Sequence, residues 1–235
     1  MCIRDRRECA SDAKRTPARP SDTHYYQSFV PGPVCSGWFL ADDRTCRLWG
    51  VSRQLTVREL SAEGPPFAYA GSVGPLALDP ETFEEWSMWG TVLWEHFKLR
   101  GLFGIDAVCA NARGEAPWLL EINPRFTASM ELWDHAGPSG SMMGCWLATT
   151  AAEVPRRTAV AGKLVLYARR SQTVTLQWLD ALRGHLRAGE WLADIPQVPQ
   201  TIAAGRPITT LMLTGTSSIE VEQRIEQLAR DTRSC

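Results

Sequence analysis

Residues 101–125 contain two extended apolar runs on either side of a short polar turn, a pattern that limits this region to a β-hairpin. Gly114 tolerates the positive φ that tight turns require. If Arg113 and Gly114 occupy the two central positions of the turn, Asp106 on the first strand lies opposite Glu121 on the second. The hairpin is therefore predicted to hold two carboxylates side by side on one face of a sheet.

Two opposed carboxylates repel each other on a sheet, so this arrangement favours a bound cation. Asn123 shares the face of Glu121, because side chains two residues apart on a strand point the same way. Three oxygen ligands without Cys or His suit a hard ion such as Mg²⁺ (or Mn²⁺), which typically completes its coordination with water and phosphate oxygens. Arg125 follows and can bind phosphate or carboxylate oxygens through its planar fork. The alternative is a solvated sheet face on which Asn123-Pro124 forms a turn.

The rest of the pattern predicts an α+β fold, with an antiparallel sheet flanked by helices in residues 25–152 and a small α/β unit in residues 153–235. Residues 1–24 are polar and lack a regular period, so we expect a disordered or artefactual N-terminus there. Strands are predicted at residues 25–30, 34–41, 46–55, 163–168 and 208–213, with loops at 61–66 and 71–75. Helices are predicted at residues 79–101, 139–152 and 176–187 and after the cap residue Ser217.

The helix between Asp79 and Gly101 carries consistent start and stop signals. Asp79 can cap it, Pro80 suits the first helical position and Gly101 can end it. Apolar residues recur every three or four positions and predict one buried face, namely Phe83, Trp86, Gly90, Leu93 and Phe97. Trp89 and Trp94 widen this face, so we expect a well-buried helix.

The composition excludes several classes of partner. The chain has 25 Lys and Arg against 26 Asp and Glu, which gives no electrostatic basis for binding nucleic acid. Its apolar runs are far shorter than the roughly 20 residues of a membrane span. The seven cysteines include no CxxC pair, which argues against structural zinc. These features predict a cytoplasmic protein with reduced thiols.

The hairpin residues resemble the metal-binding hairpin of ATP-grasp ligases, a family that includes biotin carboxylase and D-alanine–D-alanine ligase. Those enzymes carry an acidic residue on one strand and Glu-x-Asn on the next, which correspond here to Asp106 and to Glu121 and Asn123. The resemblance implies that these three residues bind the Mg²⁺ ions that bridge the phosphates of ATP. It also implies a catalytic role for Arg125, which matches the arginine at the reacting centre in the biotin carboxylase branch.

Residues 26–32 resemble the hinge strand of the same family, whose backbone binds adenine. The resemblance implies adenine contacts from the Gln27 carbonyl and the Val30 amide, with Ser28 and Phe29 between them. For the fold it implies part of an ATP-grasp domain in residues 25–152, followed by the small domain of carboxylase-like members.

Two further residues gain a role only through the resemblance. Arg53 falls where relatives place a basic residue near the terminal phosphates, and the alternative is a solvated strand residue. Glu131 would orient the substrate or Arg125, and the alternative is an ordinary helix carboxylate.

The implied activity is that of an ATP-dependent ligase. ATP held with Mg²⁺ phosphorylates a carboxylate to an acyl phosphate, and an amine or another nucleophile displaces the phosphate. The family's phosphate-binding lysines have no counterpart before Tyr25, so we expect an N-terminally truncated fragment that is inactive alone. The alternatives are a non-catalytic nucleotide-binding module or half of a two-chain ligase, and a homodimer is compatible with each.

Overall fold

The computed structural model describes residues 28–60, 68–137, 141–147, 154 and 157–232. The strands in these residues are β1 (Val34–Ala41), β2 (Cys46–Thr56), β3 (Tyr69–Gly74), β4 (Gly101–Val108), β5 (Trp118–Asn123), β6 (Val160–Tyr167), β7 (Gln172–Val174), β8 (Trp191–Ala193), β9 (Gln200–Ile202) and β10 (Pro207–Gly215). The helices are α1 (Val57–Leu60), α2 (Pro80–Phe97), α3 (Glu131–His135), α4 (Met142–Leu147), α5 (Leu176–Arg183) and α6 (Ser218–Asp231). The predictions made for residues 1–24 and for the loop at 61–66 lie outside the described residues.

Eight strands form one antiparallel sheet in the order β5-β4-β1-β2-β3-β6-β10-β8, and β7 pairs with β9 separately. An antiparallel sheet with helices on its faces confirms the predicted α+β class. Strands β6, β8 and β10 belong to the predicted small C-terminal unit, yet they extend the same sheet through the pairing of β3 with β6. The two predicted units therefore share one sheet in the structure.

The predicted loop at residues 71–75 is wrong, because Tyr69–Gly74 forms strand β3 at the centre of the sheet. Its glycines suggest a loop in the sequence, but they serve close packing of strands. A Cβ added at Gly71 would collide with the carbonyl oxygen of Lys163 on the neighbouring strand β6. Gly71 thus lets β3 bridge the two halves of the sheet.

Helix α2 begins as predicted, with the Asp79 carboxylate accepting a hydrogen bond of 2.8 Å from the Thr82 amide. It ends at Phe97, earlier than the predicted Gly101, because Lys98 adopts a left-handed conformation with φ 54°. Gly101 instead begins β4 with a positive φ of its own.

The buried face of α2 is narrower than predicted. Trp86, Gly90 and Leu93 are buried against the sheet, whereas Phe83 and Phe97 are exposed. Helix α2 lies so close to the sheet that position 90 requires a glycine, since a Cβ at Gly90 would overlap the ring of Phe39 on β1. In the part of the chain that the structure describes, no helix has both the length and the apolar character to cross a bilayer.

The two faces of the sheet differ in cover and in polarity. Helices α2 and α6 pack on one face over apolar clusters that include Phe39, Phe103, Val73, Leu164 and Ile225. On the other face, α3 and α4 cover a cluster around Trp38, Met130, Trp133 and Met142. Beside that cluster the second face is polar, and its register brings together a line of side chains that we call the polar row: Glu121, Asp106, Ser36, Gln54, Ser72 and Lys163.

Helix α6 has the cap predicted for it, and α5 has a cap of the same kind. Thr175 caps α5 by accepting a hydrogen bond from the Trp178 amide, and Ser217 caps α6 by accepting one from the Glu220 amide. Helix α5 ends at Arg183, earlier than the predicted residue 187.

A buried ion pair joins α6 to the segment that follows α5. Arg224 donates from Nε to Glu190 Oε1 at 2.6 Å and from Nη2 to Glu190 Oε2 at 2.7 Å. It also donates to the His185 carbonyl at 2.8 Å, and both charged side chains are only 8% exposed. The pair is therefore bidentate and largely shielded from solvent at this end of the molecule.

Candidate metal and phosphate site

Strands β4 and β5 form the predicted hairpin with the predicted register at its polar end. Asp106 pairs with Glu121, and Gly104 pairs with Asn123. The register changes between Asp106 and Ala107, so the strand residues closer to the turn are offset from the predicted pairing. The carboxylates nevertheless face each other on one side of the sheet.

The turn of this hairpin differs from the prediction. The Gly114 amide donates to the Asn111 carbonyl at 3.2 Å, so Ala112 and Arg113 are its central residues rather than Arg113 and Gly114. Gly114 follows them with a φ of 85°, which is the conformation that glycine favours. The register irregularity next to Asp106 takes up part of the offset that the shifted turn produces.

Asn123 connects the two carboxylates. Its Nδ2 donates to Asp106 Oδ2 at 3.2 Å and to Glu121 Oε1 at 3.1 Å. The amide thus occupies the position between two acidic groups at which a cation would balance their charge. Asp106, Glu121 and Asn123 are brought together as the sequence predicts.

Two neighbours of Asp106 were missed by the sequence reasoning. Ser36 donates from Oγ to Asp106 Oδ1 at 2.5 Å, and Gln54 donates from Nε2 to the same oxygen at 3.1 Å. Gln54 also donates to Ser36 Oγ at 2.6 Å. No local motif marks these residues, since they reach the site through the pairing of β1 with β4 and of β1 with β2.

The ionisation of Asp106 reflects its surroundings. Burial, together with the nearby negative charge of Glu121, raises the pKa of Asp106 from 3.8 to about 6, while the Ser36 hydroxyl acts in the opposite direction. A carboxyl that is difficult to ionise in this setting gains most from a cation, which favours the charged form.

The donor chemistry of this group fits a hard divalent ion. Within the described residues, no cluster of three or more His, Cys, Asp or Glu side chains could hold a metal. A metal at the hairpin would therefore depend on two carboxylates and on the Asn123 side-chain oxygen, which would have to turn toward the carboxylates because Nδ2 faces them in this structure. The described ion pairs give neither Asp106 nor Glu121 a Lys or Arg partner, which leaves their charge available.

Arg125 lies at the edge of this group. Its Nη2 donates to Asn123 Oδ1 at 3.3 Å and its Nη1 to the Phe126 carbonyl at 3.1 Å. The residue is exposed, so its guanidinium can reach an anion placed over the hairpin.

Arg53 is not brought to this group. It pairs across β1 and β2 with Cys35, whose side chain belongs to the apolar core under α2, on the opposite side of the sheet from Asp106. Its guanidinium binds Glu222 at 2.7 Å and Glu59 at 2.9 Å. This placement lends no support to a phosphate-binding role for Arg53, which stays a prediction.

Glu131 lies at the start of α3 and binds Lys163 rather than Arg125. The Lys163 ammonium donates to Glu131 Oε1 at 2.5 Å and to the Ala128 carbonyl at 2.7 Å. Burial alone lowers the pKa of Lys163, but the Tyr69 and Glu131 side chains raise it above its ordinary value. Sequence reasoning placed Lys163 on a strand without assigning it a role at this site.

The hinge prediction is only partly within the described residues. Gln27 lies outside them, and Ser28, Phe29 and Val30 are not in a strand, unlike the predicted strand at residues 25–30. The Phe29 side chain is 65% exposed. The adenine contacts predicted for these residues stay predictions.

Solved structures of similar fold include several ligases. An L-amino acid ligase from Bacillus licheniformis is 15% identical with a TM-score of 0.65, covering 86% of this chain and 51% of that chain. N5-carboxyaminoimidazole ribonucleotide synthetase from Thermus thermophilus is 13% identical with a TM-score of 0.60, covering 86% and 51%. The biotin carboxylase domain of Hydrogenobacter thermophilus 2-oxoglutarate carboxylase, solved with MgADP and bicarbonate, is 10% identical with a TM-score of 0.59, covering 82% and 44%.

These similarities concern the fold, and the chain spans about half the length of the solved structures it matches. No curated protein matches its sequence. A family model described as an ATP-grasp domain matches residues 4–129, which is more than half of the chain and includes the whole β4–β5 hairpin. The chain therefore belongs to the family of ATP-grasp domains.

Proposed function

We propose that this chain binds ATP with Mg²⁺ (or Mn²⁺) at the β4–β5 hairpin and forms part of an ATP-dependent ligase that joins a carboxylate to an amine. The observation that carries the proposal is the pair of facing carboxylates, Asp106 and Glu121, bridged by Asn123 and lacking a cationic partner among the described ion pairs. The proposal takes ATP as the nucleotide because the chain belongs to the ATP-grasp family. The solved biotin carboxylase domain with MgADP gives an example of this ligand in a similar fold.

In the proposed reaction the carboxylate oxygen of the acid substrate forms a bond to the γ-phosphorus of ATP, and the bond from that phosphorus to the β-phosphate oxygen breaks, releasing ADP. The amine then attacks the acyl carbon, the C–N bond forms, and inorganic phosphate leaves as the amine loses a proton. Phosphoryl transfer of this kind depends on positioning and charge neutralisation rather than on a protein nucleophile.

Each residue of the group has a distinct part in this proposal. Asp106 and Glu121 supply the negative charge that holds the metal, and Asn123 supplies a neutral oxygen beside them. When bound, the metal neutralises charge on the phosphates. Arg125 presents its planar fork to phosphate or carboxylate oxygens at the exposed edge, and the hydrogen bond to Asn123 keeps it beside the metal ligands.

A second candidate function is nucleotide binding without turnover by this chain alone, as a regulatory module or half of a two-chain ligase. The chain has three lysines, and Lys14 lies outside the described residues. Lys98 forms the exposed end of α2, and Lys163 is bound to Glu131 and Ala128. In the described part of the molecule, therefore, no lysine faces the hairpin to bind the terminal phosphates.

The binding step is tested with Mn²⁺ and ADP, because Mn²⁺ can be counted by electron paramagnetic resonance. We expect Glu121→Ala to weaken Mn²⁺-dependent ADP binding at least about tenfold, since one of two charged ligands is lost. Glu95→Ala removes an exposed carboxylate from α2 and serves as the matched control, with no expected change. Unchanged binding in Glu121→Ala would remove Glu121 from the metal site. ADP release from mixtures of candidate acids and amines then separates the ligase from the non-catalytic module.

A further inference from the structure

Lys163 is a buried ammonium group that the proposed chemistry does not use. It is 4% exposed and lies on β6. It forms one end of the polar row, and Glu121 forms the other end. Removing an ammonium from water is costly unless it is fully paired, and an apolar side chain of the same length would fill the space without that penalty. A charged group in this position therefore points to a task other than packing.

The two acceptors of Lys163 belong to one segment, residues 124–131, which we call the Arg125 loop. This loop leaves β5 directly after Asn123 and carries Arg125 and Glu131. Lys163 binds it at the Ala128 carbonyl and at the Glu131 carboxylate, with distances of 2.7 and 2.5 Å.

Other contacts hold the Arg125 loop from strands β1 and β4 and from within the loop. Trp38 on β1 donates from Nε1 to Ser129 Oγ at 2.9 Å. Thr127 packs so closely on Gly104 of β4 that an added Cβ would lie 2.9 Å from its methyl carbon. The Met130 amide donates to the Thr127 carbonyl at 3.0 Å, which closes a turn inside the loop.

Lys163 supplies the polar contact from the other half of the sheet, where Met130 of the loop also packs in one apolar cluster with Ala161 of β6 and Met212 of β10. Trp38 and Gly104 lie on β1 and β4, whereas β6 is separated from β4 by three strands of the sheet. The ammonium thus ties the Arg125 loop to the half of the sheet that carries α6. Because the loop is short and internally bonded, a shift at Ala128 is transmitted to Arg125 and to the Asn123 side chain that Arg125 binds.

We propose that Lys163 is a positioning residue, which fixes the Arg125 loop through Ala128 and Glu131 and thereby sets where Arg125 meets the phosphates of a bound nucleotide. The proposal rests on the proposed function for its second half. Its first half, the anchoring of the loop, concerns the free protein and is tested without any ligand.

Hydrogen exchange of the 235-residue chain tests the anchoring. In Lys163→Met we expect amides of the Arg125 loop to exchange about tenfold faster, while amides of α6 keep their rates. Lys98→Met removes an exposed lysine and serves as the matched control, with wild-type exchange throughout. If Lys163→Met fails to fold, Glu131→Gln keeps the bond to Ala128 and loses the ion pair, with a smaller expected effect in the same direction. Unchanged exchange in the Arg125 loop overturns the proposal.

A double-mutant cycle with Arg125→Met tests the second half, using the dissociation constant of Mn²⁺–ADP. We expect Lys163→Met to weaken binding about tenfold in the wild-type background and less than about twofold when Arg125 is already Met. If Lys163→Met changed the dissociation constant by the same factor in both backgrounds, its effect would not depend on Arg125, which would contradict positioning through Arg125. A wild-type chain that does not bind Mn²⁺–ADP overturns the proposed function and the nucleotide half of this proposal together, and the exchange rates of the loop distinguish that result from a failure of the anchoring.

Discussion

Two regions in the described part of the molecule, the Glu190–Arg224 pair and the Asp106–Glu121 pair, arrange charge in opposite ways. Glu190 and Arg224 form a bidentate ion pair in which each charge is complemented, and both side chains are 8% exposed. Asp106 and Glu121 face each other with like charge, separated only by the amide of Asn123. In the first arrangement each charge is neutralised within the protein, whereas in the second the two facing carboxylates repel each other in the metal-free protein.

The difference appears in the ionisation of the two acids. Burial favours the neutral form of Glu190, but the hydrogen bonds from Arg224 and from the Arg187 amide prevail and lower its pKa. Burial and the charge of Glu121 instead raise the pKa of Asp106 to about 6. A raised carboxyl pKa beside a second carboxylate is typical of a site that awaits a ligand, and a lowered one is typical of a structural pair.

The largest change in the free energy of unfolding is expected when the Glu190–Arg224 ion pair is broken. Arg224→Met leaves the Glu190 carboxylate with the Arg187 amide but without the Arg224 charge, and we expect it to lower the free energy of unfolding by about 3–5 kcal/mol in urea titrations. The control is Arg230→Met, whose exposed pair with Glu226 at 3.7 Å should be worth less than about 1 kcal/mol. Equal decreases in the free energy of unfolding for both variants would show that the burial of the Glu190–Arg224 pair makes no difference to its contribution to stability.

A smaller effect of opposite sign is expected at the hairpin. Asp106→Asn removes the repulsion with Glu121, so we expect the metal-free protein at pH 7 to gain about 1–2 kcal/mol in the free energy of unfolding. The same variant should lose Mn²⁺ binding, because one charged ligand is gone. Ser36→Ala, which leaves both carboxylates in place, serves as the control for the polar row. A metal-free Asp106→Asn protein that is less stable than wild type would contradict the assignment of repulsion.

The contributions of Asp106 and Glu190 to stability are expected to change with pH in opposite directions. Asp106 has a raised pKa in the folded state, so its contribution to stability is greatest below 3.8 and is lost as the pH rises through about 6. Glu190 has a lowered pKa, so its contribution is present above 4.5 and is lost as the pH falls further. Urea titrations from about pH 7 to about pH 4.5 should therefore show the advantage of Asp106→Asn shrink steadily while the deficit of Glu190→Gln persists. Parallel curves for the two variants would argue against opposite ionisation.

The smallest effect concerns the helix that carries Arg224. Ser217 caps α6 by accepting a hydrogen bond from the Glu220 amide at 3.2 Å, and Ser217→Ala should lower the free energy of unfolding by about 1 kcal/mol. Mn²⁺ binding should be unchanged, because α6 packs on the face of the sheet away from the hairpin carboxylates. A change in Mn²⁺ affinity would link the two regions and contradict their independence. Ser217→Asn, which retains a capping oxygen, should restore most of the loss.

Local patterns were sufficient to predict the facing carboxylates of the hairpin, because its two strands are adjacent in sequence and their side chains alternate between the two faces of the sheet. Asp106 and Glu121 face each other as the spacing predicts, even though the turn is centred one residue earlier than expected. The caps Asp79 and Ser217 were also readable, since a capping side chain binds an amide only three residues away. Errors at helix ends came from residues such as Lys98, which adopts a conformation that glycine usually supplies.

Long-range pairing accounts for what the sequence did not reveal. A shift of one residue in register moves a side chain to the opposite face of a sheet, and only the pairing with distant strands fixes that register. Arg53 and Gln54 are neighbours in sequence, yet Gln54 binds Asp106 while Arg53 binds Glu222 on α6. The glycines of β3 suggest a loop until β6 is seen beside them.

The chemistry of the hairpin follows from local sequence alone, because two carboxylates, an amide and an arginine lie within twenty residues on strands whose alternation places the acids together. The tertiary structure alone decided which other residues meet them. It brought Ser36 and Gln54 to Asp106 and Lys163 to the Arg125 loop, across strands that are distant in the chain. The physical reason is that alternation along a strand is a local property, whereas the neighbours of a strand depend on the burial of the whole sheet.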